Sequence, residues 1–296
     1  MGRFAFGSGS FGPRSYEELA SALGAVGFAS IPSAARRYST LSAGERFRCE
    51  VARALLDGNG FALDASGRRR DLTVVDEFSS AVDREVARAS AIALRKALDS
   101  GAFGARKFVA VTCHSDVAPW LEPDWILDMT TGKLTRGRLR RPALLLRLYA
   151  GGRKLWPYFK DYHYLSGALN RSARVFVGTL AAPGERERLA IFAALLPLEG
   201  FPGARRVHRL VARPEYQGIG LGGATLDALG ALCAASGERL RVVSGNVFFT
   251  RKLARSPRWR LVGRYPHGKT QRRHGRAERG SFGRAIASFE YVGTNG

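Results

Sequence analysis

Apolar positions along this chain fall into two rhythms. In the first half, stretches of helical spacing alternate with short apolar runs. Tyr16 to Ala25 has helical spacing, with Ser15 placed to cap it and Glu18 three residues further on. A break follows at Ile31-Pro-Ser. The pattern then predicts a helix from Arg46 through Leu56, a Gly/Arg-rich gap, and a short apolar strand from Leu72 to Val75 that ends on two carboxylates, Asp76 and Glu77. A helix from Arg84 to Leu98 and a buried strand from Phe108 to Thr112 come next. Residues 129–142 read as a short strand or hairpin and then a basic linker, which places a domain boundary near Pro142.

The second half is richer in strands. Ala143 to Tyr149, Arg174 to Leu180, Leu189 to Pro197, Arg205 to Ala212 and Leu240 to Ser244 alternate or run apolar as strands do, with a turn at Gly184. Trp156 to Tyr164 reads as an aromatic-rich helix, Ala224 to Ala235 as a second and Asn246 to Ala254 as a short third. Strands from Trp259 to Tyr265 and Ala287 to Val292 close the set, and no internal repeat is visible.

Composition narrows the class. No apolar run approaches the roughly 20 residues that span a bilayer, and the first residues lack the apolar core of a signal peptide. Cys49, Cys113 and Cys233 are odd in number, widely spaced and without metal-site spacing, so buried, reduced thiols and a cytoplasmic location are expected. The net charge is +22, unevenly divided: residues 1–141 carry +5 (21 basic, 16 acidic) and residues 142–296 carry +17 (26 basic, 9 acidic). That excess suits a polyanionic partner or an acidic ligand. A compositional origin is the alternative, since Arg and Ala far outnumber Lys and Ile.

The chemistry concentrates after the strand end at Leu210, Val211 and Ala212. Pro214 stops the strand, and Gln217, Gly218, Ile219, Gly220, Leu221 and Gly222 lead into the helix. Glycines there let backbone N–H groups approach a ligand, and a helix N-terminus favours negative charge. Together they describe a pyrophosphate cradle. The flanks, Val-x-x-Pro-x-Tyr-Gln-Gly-x-Gly-x-Gly, resemble the acetyl-CoA motif of the GNAT N-acetyltransferases, with Gln217, Gly220 and Gly222 in its defining slots.

The first half carries a second set of motifs. Leu41, Ser42, Ala43, Gly44 and Glu45, then the strand ending at Asp76 and Glu77, then Ser80-Ala-Val-Asp83, then His114 past the next strand, resemble in order the signature, Walker B, turn and switch histidine of an ATP-binding cassette ATPase. The resemblance implies that Asp76 holds Mg²⁺ through water, Glu77 polarises the attacking water and His114 senses the γ-phosphate. No Gly-x-x-x-x-Gly-Lys-Ser/Thr phosphate loop precedes the signature, so ATP and Mg²⁺ would be shared with a partner ATPase subunit or a second copy. A start placed too late would leave that loop upstream. The expected architecture is therefore α/β: a partial P-loop NTPase (ABC-type) module at 1–141 lacking Walker A, followed by a GNAT mixed α/β acyltransferase domain at 142–296. Over about residues 35–293 the chain resembles cassette-ATPase and acetyltransferase fusion proteins of microbes and their phages, including Asp161-Tyr-His-Tyr-Leu-Ser and Ser288-Phe-Glu-Tyr-Val-Gly.

The GNAT resemblance implies acetyl-CoA as cofactor, bound where the fourth and fifth strands splay apart. Leu210 to Ala212 would pair with pantetheine, and Asn246 matches a frequent CoA contact. An amine acceptor would attack the thioester, with a nucleic acid or a nucleic-acid-associated protein as the class suggested by the basic cluster Lys269, Arg272, Arg273, Arg276 and Arg279. His208, on the fourth strand, and His163 are the candidate bases. By alternation His208 shares a face with Leu210 and Ala212. The helix after the fifth strand carries Phe248 and Phe249 where many GNAT enzymes carry a tyrosine acid; Thr250 is a poor substitute, and Tyr265 could reach in from the next strand. The competing reading is a non-catalytic adaptor that docks to a partner ATPase or nucleic acid; ATPase activity of this chain alone is not expected.

Overall fold

The alternating strands of the second half assemble into one seven-stranded sheet. A computed structural model describes residues 16–28, 36–58, 60–63, 66–67, 69–137, 143–163, 168–265 and 286–293. The protein is mixed α/β. In the second half, β6 (Leu145–Ala150), β7 (Arg174–Ala181), β8 (Arg188–Pro197) and β9 (Ala204–Ala212) form an antiparallel meander. Helix α5 (Leu221–Ala235) then crosses over to β10 (Arg239–Ser244), which runs parallel to β9. Parallel neighbours require such a crossover. Helix α6 (Val247–Arg255) and strands β11 (Trp259–Tyr265) and β12 (Ile286–Tyr291) complete the order β11-β12-β10-β9-β8-β7-β6.

Both faces of the sheet are covered. On one, Leu226, Leu229 and Cys233 of α5 pack on Phe176, Ala193, Leu195, Leu240 and Phe289. On the other, Trp156 and Phe159 close over Phe192, with ring centroids 5.1 and 5.5 Å away. The expected helix from Trp156 to Tyr164 is instead two 3₁₀ turns, Arg153–Tyr158 and Lys160–Tyr162. The break falls at Phe159, whose backbone (φ −121°, ψ −20°) leaves helical geometry between the two turns.

In the first half, α1 (Tyr16–Ala25) and α2 (Ala43–Asp57) pack beside a three-stranded sheet of β1 (Gly60–Leu63), β2 (Arg69–Val75) and β3 (Lys107–Ala110). Strand β1 pairs antiparallel with β2 inside the supposed Gly/Arg-rich gap. Helix α3 (Arg84–Asp99) links β2 to the parallel β3, and the short α4 (Val117–Leu121) precedes a hairpin of β4 (Trp125–Asp128) and β5 (Lys133–Arg136). The core centres on Phe78, which is fully buried and meets Phe47 and Phe108 edge-on. Helix α2 starts at Ala43, earlier than its apolar period suggests. The Ser42 hydroxyl accepts from Glu45 N while the Glu45 carboxylate accepts from Ser42 N, a reciprocal cap. Ser15, the expected cap of α1, and the boundary near Pro142 lie outside the described residues.

The two halves are joined by more than the linker. Arg88, almost fully buried, makes ion pairs with Glu85 of its own helix and Glu185 of the β7–β8 turn, at 2.7 and 2.8 Å. Buried Arg48 donates to Pro214 O at 2.7 Å. Cys49 and Cys233 are buried, but Cys113 is exposed, against expectation. Among the described residues no helix is long and apolar enough to cross a membrane. Phe192, enclosed between Trp156 and Phe159, should be the costliest single truncation in the larger sheet. We expect Phe192→Ala to lose about 3–5 kcal/mol, read as a lowered urea midpoint; a loss below 1 kcal/mol would show that the aromatic layer does not pack as described.

Candidate functional site

The site begins where β9 and β10 part. Their pairing covers only Ala204, Arg205 and Arg206 against Arg239, Leu240 and Arg241. Beyond it, β9 stays paired with β8 through Ala212, while β10 continues beside β12. One side of the segment from Val207 to Ala212 therefore faces a wedge rather than a neighbouring strand. This is the splay expected from the sequence, and Leu210, Val211 and Ala212 lie along it.

The glycine turn closes the end of the wedge. Arg213 N donates back to Ala190 O, and a 3₁₀ turn spans Pro214–Tyr216. Gln217 Nε2 then donates to Ala212 O at 3.2 Å, folding the turn against the strand it leaves. Gly218 (φ +85°) and Gly220 (φ +99°) take left-handed conformations that side chains rarely adopt. Gly220 is the N-cap of α5 and offers no capping side chain, so the first N–H groups of the helix, from Leu221 and Gly222 onward, get no cap from it. Helix α5 begins three residues before its apolar period because the motif itself supplies its first turn.

Two lysines stand at this turn. Lys96 of α3 hydrogen-bonds Ile219 O, and Lys252 of α6 lies 3.5 Å from Gly220 O. Lys96 is separated from the turn by more than a hundred residues, and no sequence signal pointed to it. Lys252 carried only a faint one, its place on the helix after the fifth strand. Asn246, the expected CoA contact, is the N-cap of α6, its side-chain oxygen accepting from Phe249 N at 3.1 Å.

His208 sits at an irregularity. Arg209 faces Ala194 and Val207 faces Leu195, so His208 is the extra residue of a β-bulge. The bulge breaks the expected alternation: Val207 and Leu210, three apart, pack on the same core cluster. His208 is thereby grouped with Arg209, whose Nη1 lies 3.4 Å from its Nδ1 and whose Nη2 donates to Ala168 O. Partial burial, then Arg209 and Arg206, push its pKa down to about 4, so the ring is uncharged near neutrality. Its Nε2 is buried and meets no hydrogen-bond partner among the described residues. His163 stacks edge-on against Trp156, centroids 6.3 Å apart. Phe249 packs into the α5 core, and the side chains of Phe248 and Tyr265 lie outside the described residues.

The cassette-like motifs lie apart from this wedge. Asp76 and Glu77 follow β2 and His114 follows the parallel β3, so all three stand at one end of the small sheet. Asp76 accepts from Glu77 N at 2.9 Å, and Glu77, in the left-handed region at φ +51°, accepts from the Ser80 hydroxyl. No group of three or more metal-ligating side chains occurs among the described residues. Ser42 and Glu45, at the start of α2, instead line a cleft of about 960 Å³ shared with Tyr162, Arg188 and Arg213 of the second half. Leu41 is buried in the core of the first half, and Gly44 packs on Val86 of α3.

No family model matches the sequence, and no curated protein matches it. Among solved structures, the protein is similar to an IAA acetyltransferase from Bacillus cereus, at 14% identity and a TM-score of 0.35 over 50% of this chain and 99% of that one. It is also similar to the ribosomal-protein-S18-alanine N-acetyltransferase from Escherichia coli, at 14% identity and a TM-score of 0.36 over 51% of this chain and 98% of that one. A Bacillus subtilis acetyltransferase in complex with CoA shows 15% identity and a TM-score of 0.35 over 50% and 98% of the two chains.

The state of His208 has a measurable signature. Its folded pKa is depressed from 6.5 to about 4. Between those values the unfolded chain binds a proton that the folded chain does not, so stability present above pH 6.5 is lost as pH falls toward 4. Allowing for partial exposure, the stability difference between the parent and His208→Gln should shift against the parent by about 1–2 kcal/mol between pH 7 and pH 4.5. Parallel urea-derived stability curves for the two proteins would show that His208 titrates normally.

Proposed function

We propose that this protein is an acetyl-CoA-dependent N-acyltransferase whose site is the wedge between β9 and β10. The observation that carries the reading is the conjunction of an unpaired strand edge with an uncapped, glycine-lined helix N-terminus at its end. An extended pantetheine fits the free edge of Leu210 to Ala212 as an added strand. The N–H groups from Gln217 to Gly222 suit the diphosphate. The arrangement also agrees with the GNAT resemblance of the sequence motif.

The reaction is attack of a neutral amine on the thioester carbonyl. The N–C bond forms, the C–S bond breaks, the CoA sulfur leaves as thiolate and the amine surrenders a proton. A guanidinium has only protons to offer, so Nδ1 of His208 accepts from Arg209 and the ring proton rests on the buried Nε2. That makes His208 a donor for the developing oxyanion better than a base, as its low pKa also argues. His163, whose ring packs edge-on against Trp156, is assigned the amine proton.

The first half, residues 1–141, is read as the later part of a cassette ATPase module, with 142–296 as the acyltransferase unit. Asp76, Glu77 and His114 are assigned to Mg²⁺ and nucleotide completed by a partner, and the segment from Ser42 to Glu45 to the partner's nucleotide, with Leu41 anchoring it in the core. The adaptor reading is favoured by one observation: Phe249 is packed in the core, where a tyrosine acid would be sought. An adaptor would bind acetyl-CoA and release no thiol with any amine.

Two measurements test these assignments. Gly220→Glu places a carboxylate at a left-handed position in the cradle and should abolish acetyl-CoA binding by calorimetry, with thiol release from acetyl-CoA and amine pools lost in parallel. Binding equal to the parent's would remove the cradle from the site. For the acceptor, the basic segment from Arg264 to Arg284, nearly all of it outside the described residues, is proposed to hold nucleic acid. On duplex DNA, log K should fall by about 0.9 for each phosphate neutralised per log unit of salt. Serine at Lys269, Arg272, Arg273, Arg276 and Arg279 should flatten that slope and leave acetyl-CoA affinity nearly intact. No salt-dependent binding by the parent to DNA or RNA would sink the nucleic-acid reading.

A further inference from the structure

We infer that the first half of the chain supplies part of the acyl-CoA site, through Lys96 acting with Lys252 as a cationic clamp on a phosphate of the bound cofactor. The inference rests on the acyl-CoA reading of the cradle. It adds a binding residue from an element that the cradle motif does not contain.

Three observations converge on it. First, the two ammonium groups approach one spot from opposite elements. A Cβ built on Gly220 would lie 3.3 Å from Lys96 Nζ and 3.7 Å from Lys252 Nζ. Both lysines reach backbone carbonyls of the cradle itself, Ile219 O and Gly220 O. Second, the spot is the electropositive end of α5, a 15-residue helix that begins without a capping side chain. Two cations and a helix N-terminus together repel one another and attract an anion of high charge density. A diphosphate or a phosphate monoester has that charge. Third, the placement of Lys96 is built in. Helix α3 meets the cradle through Ala93, whose Cβ would lie 2.8 Å from a Cβ on Gly218. Lys96 is three residues further along and so lies on the same face. Gly218 also rests against Gly27, where an added Cβ would come within 2.3 Å of the Gly27 Cα. The backbone of the first half thus backs the cradle, and the ammonium at the end of that contact reaches its mouth.

A purely structural role is the competing account. Lys96 lies in the last turn of α3, where a cation is favoured by the helix carbonyls, and its bond to Ile219 O could serve only to hold the halves together. The two accounts differ in what Lys96→Gln does to ligand affinity rather than to stability.

The test is calorimetry of the full chain with acetyl-CoA, 3′-dephospho-CoA and pantetheine. Lys96→Gln and Lys252→Gln should each weaken acetyl-CoA binding about tenfold, Lys96→Arg should restore most of the loss, and the salt dependence of binding should fall in each Gln variant. Pantetheine, which has no phosphate, should bind parent and variants alike. If the tenfold loss persists with 3′-dephospho-CoA the clamp holds the diphosphate, and if it vanishes the clamp holds the 3′-phosphate. Acetyl-CoA affinity unchanged or tightened in Lys96→Gln, while Gly220→Glu abolishes it, overturns the clamp and leaves the cradle standing. A parent that does not bind acetyl-CoA fails the cradle itself.

Discussion

The parting of β9 from β10 is the constraint on which the rest depends. Two parallel strands must be joined by a crossover, and here the crossover helix starts at the mouth of the gap it spans. Once the strands separate, α5 presents its N–H end to the opening and the loop before it must turn sharply, which glycine allows. The bulge at His208 lies at the start of the same parting. One extra residue there bends β9, increases its twist and carries the strand away from β10 while β8 still holds its other edge. Bulge, gap and glycine turn form one connected deformation of an otherwise regular sheet.

Much of this was legible in the amino-acid order. The central strands β7 and β8 read as nearly continuous apolar runs because both faces of the sheet meet a packed layer. The end of α1 at Ala25 and the start of β11 at Trp259 fall where the pattern puts them. The misreadings have physical causes. Phe159 leaves helical geometry in the middle of an aromatic pattern that otherwise looks helical. Strand β1 is a short edge strand of Gly60, Phe61, Ala62 and Leu63, too brief for a period to show. The bulge shifts side-chain direction by one residue, and no pattern within β9 marks where that happens. The candidate site was half visible: its glycines stand together in the sequence, while Lys96 reaches them only through tertiary contact.

The first half looks different once its contacts are considered. Glu77 and Ser79 hold left-handed backbone conformations without being glycine, each at a cost of about 1–3 kcal/mol. They flank Phe78, whose ring is locked between Phe47 and Phe108 and whose N–H donates to Val111 O. A buried aromatic anchor holds a strained turn in place, so the packing of Phe78 fixes Asp76 and Glu77 at the sheet end. Beside it, α3 buries five alanines, Ala87, Ala89, Ala91, Ala93 and Ala97, among larger side chains, and at Ala93 the small side chain lets the helix come close to what lies opposite.

What lies opposite includes Gly218, and with it Gly27, two glycines whose backbones touch across the halves. A methyl group on Gly218 would meet the Gly27 backbone at 2.3 Å, and one on Gly27 would come within 2.7 Å of the Gln217 carbonyl oxygen, so neither position accepts a side chain unless the halves move apart. The halves of this chain therefore cannot be exchanged freely by recombination. A replacement second half would have to present bare backbone at position 218, and a replacement first half bare backbone at position 27. The contact makes the two halves a fitted pair rather than two bodies that share only a linker.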